Sequence, residues 1–382
     1  MGRQTVHAII FNVTLSVVSI VFLNFLSYAV IVGYSVFLTF MQQSEDPEHF
    51  QVSLPNYSQD REAAKIIFKD MDKQSHQYAA AIGWLPNTLQ TKSVNINSDR
   101  NRIHKILERN TINKQSVYFF GGSTTWGMGA WDNETIPALF GSIANLPSYN
   151  MGQSGWVSRQ NLARFINVLS QGTKIDIAIF YDGHNDVTVG CRVELNPQDH
   201  SNVTVFERKI NKKSEIDIWE SLEFLTLSQT KKLADKIRGK LLPSTVQVNL
   251  DKSLICDNSQ KRARKVATTL VSNWEMAHDI AIARNIKFYA VLQPTGYFGI
   301  PKVDHLQQYY SSQHQKEIAK QIRAVYPLLK ELVRERKHDW IFDYTDAFSR
   351  DEYIFIGAVH VSPNGNQIIA ERLYRDIVGK QM

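Results

Sequence analysis

The chain opens on a long apolar run: positions 8–41 hold no Asp, Glu, Lys or Arg, and Ile, Val, Leu and Phe dominate them. About 20 apolar residues are enough to cross a bilayer, so this run predicts a transmembrane helix. Asn12, Asn24 and Ser27 interrupt it, which implies a tilted span or one that continues past the hydrocarbon at one end. Arg3 would suit the basic start of a signal peptide, but the short apolar region and small-residue cleavage site of such a peptide are not seen. The expectation is an uncleaved anchor. Arg3 precedes the run while Glu45, Asp46 and Glu48 follow it. That arrangement leaves the short N-terminus in the cytoplasm and the rest of the chain outside.

Beyond the anchor the pattern changes twice. Positions 42–59 are polar, with Pro47 and Pro55, and read as a stalk. Helical spacing follows over 61–76, then a turn-rich stretch at 83–86 and strand-like alternation at 93–97. From 116 onward, apolar runs at 116–120, 148–151, 175–181, 286–292 and 340–344 predict strands. Helical spacing lies between and after them, at 136–143, 158–170, 266–284, 313–334 and 366–378. Near-continuous apolar strands separated by helices predict a mainly parallel sheet covered on both faces, a three-layer α/β/α sandwich. The predicted division is a cytoplasmic tip and anchor at 1–41, a stalk and extension at 42–115, and a main domain at 116–382 with an insertion at 187–262. Ligands of such sheets sit at the carboxyl ends of the strands, which places Ser123, Gly152, Asn185 and Gln293 on one rim.

Composition alters this picture little. The 382 residues are 43% apolar and 21% charged, ordinary for a globular chain. The net charge of +6 is spread over separate groups at 208–213, 231–240 and 261–265, which read as solvated helix faces. Zinc spacings, RNP-like aromatics and a helix-turn-helix pattern are all missing, which sets nucleic acid aside as a partner. Two cysteines, Cys191 and Cys256, are too few for a disulfide scaffold or a zinc cluster.

Four segments carry candidate chemistry. Ser123 stands in Gly121-Gly122-Ser123-Thr124-Thr125-Trp126-Gly127, directly after a predicted strand. A strand-to-helix turn there puts its hydroxyl on the rim and leaves backbone N–H groups free to bind an anion. The segment is not a P-loop, since no Gly-Lys-Ser/Thr follows, nor a Gly-x-Ser-x-Gly elbow, since Thr125 replaces the second glycine. Gly152, in Asn150-Met151-Gly152-Gln153-Ser154-Gly155, offers an N–H with no side chain in the way. Asn185, in Tyr181-Asp182-Gly183-His184-Asn185-Asp186, offers a side-chain amide. Donors of this kind are worth about 10²–10³ in rate each. His360 comes shortly before Pro363 and the last helix, which Asn364 or Asn366 would cap. With a serine, a glycine N–H and an asparagine at neighbouring strand ends, His360 is the expected base for Ser123. His184 is the alternative base, although its neighbours look structural.

In this order the four segments resemble the four blocks of the SGNH (GDSL-like) hydrolase superfamily, over about 116–378 with the insertion excepted. The resemblance implies a flavodoxin-like α/β/α fold, Ser123 as nucleophile, Ser123, Gly152 and Asn185 as oxyanion donors, and His360 as general base. Gly122 stands where many members have aspartate, as in one subgroup of the family. Segment 95–99 is also similar to stretches that precede the first block in membrane-anchored bacterial members. One departure matters: Gly357 occupies the place, three residues before the histidine, where the family has aspartate. An aspartate there orients the imidazole and stabilises its charged form. A backbone carbonyl, or Asp343, Asp346 or Asp351, is expected to substitute.

Cys191 and Cys256 bracket the insertion, and outside the cytoplasm such a pair is a natural disulfide; the other reading is two buried thiols. The insertion adjoins the oxyanion side and is the candidate for a substrate-selecting lid. The expected activity is hydrolysis of O-acyl esters through an acyl-enzyme, on a cell-surface glycan, with no metal or organic cofactor implied. An O-acyltransferase using the same residues and a catalytically silent carbohydrate-binding domain are the alternatives.

Overall fold

The computed structural model describes residues 2–43, 49–104, 114–211 and 253–379. The chain divides into two compact units, 1–48 with 206–251, and 49–205 with 252–382. In the first, α1 (Arg3–Gln43) contains a stretch, Gln4–Gly33, long and apolar enough to cross a membrane. Three of its hydroxyls are bonded within the helix. Thr14, Ser16 and Ser27 donate to the carbonyls of Ile10, Asn12 and Leu23, four residues earlier, at 2.8–2.9 Å. Glu45, Asp46, Pro47 and Glu48 lie outside the described residues.

After α1 come α2 (Arg61–Met71), a hairpin of β1 (His76–Ala79) and β2 (Gly83–Pro86), and a short pair, β3 (Leu89–Gln90) and β4 (Asn95–Ile96). The alternating body begins with β5 (Val117–Gly121), α3 (Ser123–Trp126), α4 (Ile136–Ala144), β6 (Ser148–Asn150) and α5 (Ser158–Ser170). It continues through β7 (Ile177–Asp182), α6 (His184–Gly190), α7 (Val203–Asn211), α8 (Gln260–Ala283) and β8 (Lys287–Leu292). It ends with α9 (Gln307–Ser311), α10 (Gln313–Arg336), β9 (Ile341–Asp343) and α11 (Pro363–Ile377).

Five strands form a parallel sheet in the order β6-β5-β7-β8-β9, with Val117 opposite both Ser148 and Ile177. Because the first of these strands lies inside the sheet, the chain winds outward to β6 and then crosses back to β7. The carboxyl ends of β5 and β7 therefore border the topological switch point. Alternate residues of β5 face opposite layers. Val117 and Phe119 pack with Ile67, Phe140 and Leu373 of α2, α4 and α11. Tyr118 and Phe120 pack with Phe165, Leu270 and Ile322 of α5, α8 and α10. The result is the three-layer sandwich that the run of apolar strands predicts.

Several boundaries differ from the sequence reading. Residues 49–59 are not a free stalk: turns at Phe50–Ser53 and Pro55–Tyr57 bury Val52, Leu54 and Tyr57 in the core against α2. Their polar neighbours mask three well-spaced apolar anchors. The helix read over 61–76 ends at Met71, and His76 already belongs to a strand. Helix α6 runs past 187 to Gly190, and α8 begins at Gln260, where Ser259 accepts a hydrogen bond from the Arg262 N–H. The insertion is thus shorter than 187–262, spanning 191–259. Its 212–252 segment, with the expected lid and the basic group at 231–240, lies outside the described residues. Asn364 and Asn366 do not cap α11. Ser362 stands at the cap, and Asn366 donates to Glu134 O at 2.9 Å.

Within the second unit, the part of the extension described, 49–104, is not separable from the main domain either, because of one residue. Arg102 is 2% exposed and carries five N–H groups, all of them bonded. Nε meets Asp132 at 2.8 Å; Nη1 donates to Trp126 O (3.0 Å) and Gly127 O (2.8 Å); Nη2 donates to Ser93 O (3.3 Å) and Ala130 O (2.7 Å). The guanidinium also lies 4.5 Å from the centroid of the Trp126 ring. It therefore ties the extension to the carbonyls at the end of α3, the helix that Ser123 begins.

Cys191 and Cys256 are joined by a disulfide (S–S 2.01 Å) and are both buried. Closing a loop over a sequence separation of 65 is worth up to about 4 kcal/mol in the chain-entropy model. Peptide mapping without reduction should recover the linked 191–256 peptides, and Cys191→Ser should lower the thermal midpoint; two alkylatable thiols in freshly isolated protein would contradict both. Arg102→Lys supplies three donors where five acceptors wait. It should destabilise the fold by about 1–3 kcal/mol for each acceptor left unbonded, read as an early thermal transition.

Candidate active site

Strand β5 delivers Ser123 to the switch point as the first residue of α3, where its backbone N–H has no helical acceptor. The turn is tightly built. Gly122 lies so close to the next loop that a Cβ there would sit 2.6 Å from Asn185 Nδ2. The Asn185 amide is thereby set against the residue preceding Ser123. One of its N–H groups donates to Trp156 O at 2.8 Å, and the second is left for a ligand oxygen.

His360 comes from a tight turn. Phe355 and Val361 form a bridge, and the Ile356 N–H donates to His360 O at 2.9 Å. The turn brings His360 Nε2 to 2.7 Å from Ser123 Oγ. With Nε2 accepting from the serine, the neutral ring carries its proton on Nδ1. Protein crowds the imidazole on most sides, and this desolvation lowers its pKa to about 4; the residue keeps partial exposure.

The expected carboxylate partner for Nδ1 is not formed. Asp343 pairs with Lys330 at 2.9 Å, Asp346 with Arg372 at 2.8 Å and Asp351 with Lys302 at 2.7 Å. Each is held by a cation of its own. The carbonyl of residue 357 is engaged as well, accepting from Tyr310 Oη at 3.1 Å. Among the described residues, His360 Nδ1 has no hydrogen-bond partner.

Gly152 also departs from expectation. Its N–H donates to Asn150 Oδ1 at 3.0 Å instead of pointing free at the rim. The cause is local: Asn150 Nδ2 donates to Thr125 O (2.9 Å) and Trp126 O (3.2 Å), which turns its carbonyl oxygen onto the glycine. The donors left beside the Ser123 hydroxyl are therefore the Ser123 N–H and the Asn185 amide.

His184 lies beside the site but not on the serine. It is buried, stacks on Tyr297, and its Nδ1 meets Thr295 Oγ1 at 3.4 Å. Thr295 Oγ1 in turn donates to Ala358 O at 3.1 Å, in the turn that carries His360. Burial, then the neighbouring His360, lowers its pKa to about 3. It is a neutral prop. The acids of the same segment are structural too. Asp182 accepts from Asn161 Nδ2 (2.6 Å) and Trp274 Nε1 (2.9 Å), and Asp186 from Ser158 N (2.9 Å) and Oγ (2.5 Å). Burial pushes the Asp186 carboxyl up to about 6, and burial with the Asp186 charge holds Asp182 well above the usual carboxylate range.

Two contributions escaped the sequence reading. Arg102 is one. The other is the β1–β2 hairpin, which backs the loop after β6: Gln153 Nε2 donates to His76 Nε2 at 2.7 Å, and Ile82 and Trp84 pack on Trp156. Gln293, placed on the rim by pattern, accepts from Thr124 Oγ1 at 3.3 Å.

No protein-family model matches the chain, and no curated protein sequence does. Among solved structures it is similar to a member of the lipolytic protein G-D-S-L family from Veillonella parvula, at 13% identity and a TM-score of 0.39, over 70% of this chain and 100% of that one. It is likewise similar to a GDSL-like lipase from Bacteroides thetaiotaomicron, at 13% identity and a TM-score of 0.37, over 72% and 93%. A third is Est24, a carbohydrate acetylesterase from Sinorhizobium meliloti, at 11% identity and a TM-score of 0.36, over 70% and 100%.

Proposed function

We propose that this protein is a serine esterase that removes O-acyl groups, acetyl foremost, from a cell-surface glycan, held at the membrane by α1 with its second unit outside the cytoplasm. The observation that carries this reading is the 2.7 Å contact of Ser123 Oγ with His360 Nε2 at the switch point. The buried Cys191–Cys256 disulfide supports the oxidising compartment. In the reaction His360 takes the Ser123 proton as Oγ attacks the ester carbonyl. The Ser123 N–H and Asn185 amide hold the oxyanion, and His360 returns the proton to the departing alcohol. Water, activated by the same histidine, then releases the acyl group. With a glycan hydroxyl in place of water, the same groups would perform acyl transfer.

One observation favours a second reading, a catalytically silent carbohydrate-binding domain: among the described residues, no carboxylate meets His360 Nδ1. A fluorophosphonate probe separates the two, because it reacts with an activated serine. Labelling should fall on Ser123 alone, and Ser123→Ala should abolish both labelling and acetate release; glycan binding without labelling would favour the silent domain. Asp343→Asn, Asp346→Asn and Asp351→Asn should each stay near the wild-type kcat, because each aspartate is engaged by its own cation. A loss of several orders of magnitude in any of them would identify it as the hidden triad member.

The pH profile follows from desolvation. The base works deprotonated, and its pKa is lowered to about 4. Hence kcat/KM should fall as pH drops through about 4 and stay level from there to neutrality. A limb centred near the ordinary histidine value of about 6.5 would mean that His360 has a charged partner after all.

A further inference from the structure

Gly357 is a buried glycine of an unusual kind. At Gly121, Gly152 and Gly365 an added Cβ would come within 3.0 Å of other atoms, so glycine is enforced by crowding. At Gly357, flanking residues aside, a Cβ would have only Tyr309 Oη at 3.9 Å and His360 Nδ1 at 4.0 Å within 4 Å. Its φ lies outside the left-handed region, so the backbone does not require glycine either. The two polar atoms nearest that recess are the Nδ1–H of His360 and the hydroxyl of Tyr309, which accepts from the Ala358 backbone N–H and the Gln315 side chain and keeps its own proton to donate. The walls are fixed. Tyr310 Oη holds Gly357 O at 3.1 Å, the Phe355–Val361 bridge closes the turn, and Tyr309 stacks on Phe50 at 5.6 Å.

We propose that this recess is a carboxylate-binding site: a carboxylate, free in solution or borne by the substrate, seats over Gly357, accepts from His360 Nδ1 and Tyr309 Oη, and orients the imidazole as a triad aspartate would. The proposal rests on the esterase reading and deepens it, since a substrate-borne carboxylate means an O-acylated acidic glycan. The two donors flank the open side of Gly357, and charge-assisted bonds from them to a carboxylate there would run about 2.7–2.9 Å. Protons balance without the carboxylate ionising or protonating: Ser123 gives its proton to Nε2, the carboxylate stabilises the resulting imidazolium through Nδ1–H, and the leaving alcohol takes the proton back.

The test uses the full-length protein in detergent and p-nitrophenyl acetate, a neutral ester, with formate titrated in. We expect a saturable rise in kcat of at least about tenfold, part of the roughly 10⁴ that a triad carboxylate supplies. Tyr309→Phe should raise the formate concentration at half-effect. Gly357→Asp should have the higher rate without formate and lose the response to it. An O-acetylated uronate oligosaccharide and its carboxyl methyl ester distinguish the sources. If the substrate brings the carboxylate, the acid form outruns the methyl ester, and formate removes the difference. If free carboxylates serve, the two are equal and both respond to formate. Ser123 labelling with no formate response and equal rates for the two substrates would overturn the site and leave the esterase reading standing. If Ser123 does not label, that reading falls, and the site is judged by the ¹⁵N resonance of His360 Nδ1. Formate must shift that resonance in the wild type but not in Gly357→Asp, and a wild-type resonance that does not move ends the proposal.

Discussion

A guanidinium taken out of water must have every N–H bonded, and the placement of Ser123 depends on how Arg102 meets that demand. Its five acceptors come from three places in the chain: Ser93 in the extension, Trp126 and Gly127 at the end of the helix that Ser123 begins, and Ala130 with Asp132 in the loop beyond. A four-residue helix has few hydrogen bonds of its own and would fray. Here its last carbonyls are held by Arg102 and Asn150 together. The position of Ser123 is thus set from behind, by groups that never touch a substrate.

The histidine side follows the opposite logic. Burial without a counter-charge disfavours the protonated ring, so His360 rests neutral and ready to accept a proton, yet it gains little help once charged. The neighbouring His184 is driven further in the same direction, while Asp182 and Asp186 are pushed toward their neutral forms. The region behind the serine is therefore a low-charge environment. Charge that develops during a reaction there must be met by oriented dipoles, such as the Asn185 amide, or by a group arriving from outside.

The parallel sheet was legible because strands buried on both faces must be apolar throughout. The rim residues were legible because strand ends carry glycine and polar groups. Long-range polar partnerships were not. Nothing in the residues around Arg102 distinguishes a buried arginine from a solvated one, and Asp343, Asp346 and Asp351 looked available only because their cations lie far off in sequence. The engagement of Gly152 was readable in principle. Asparagine commonly bonds a backbone N–H two residues on, and Asn150 stands two before Gly152. Residues 49–59 misled for another reason: three buried apolar side chains among polar ones give no periodicity, so averaged polarity described the wrong atoms.

Gly122 and Gly357 differ in what they permit. Gly122 is closed, since any side chain there meets the Asn185 amide at 2.6 Å and would first require moving it. Gly357 is open, with nothing beyond its neighbours nearer than 3.9 Å. In terms of tolerance to change, position 122 is locked by its neighbour, whereas position 357 accepts a side chain without steric conflict, so only the second could vary without moving the groups around Ser123.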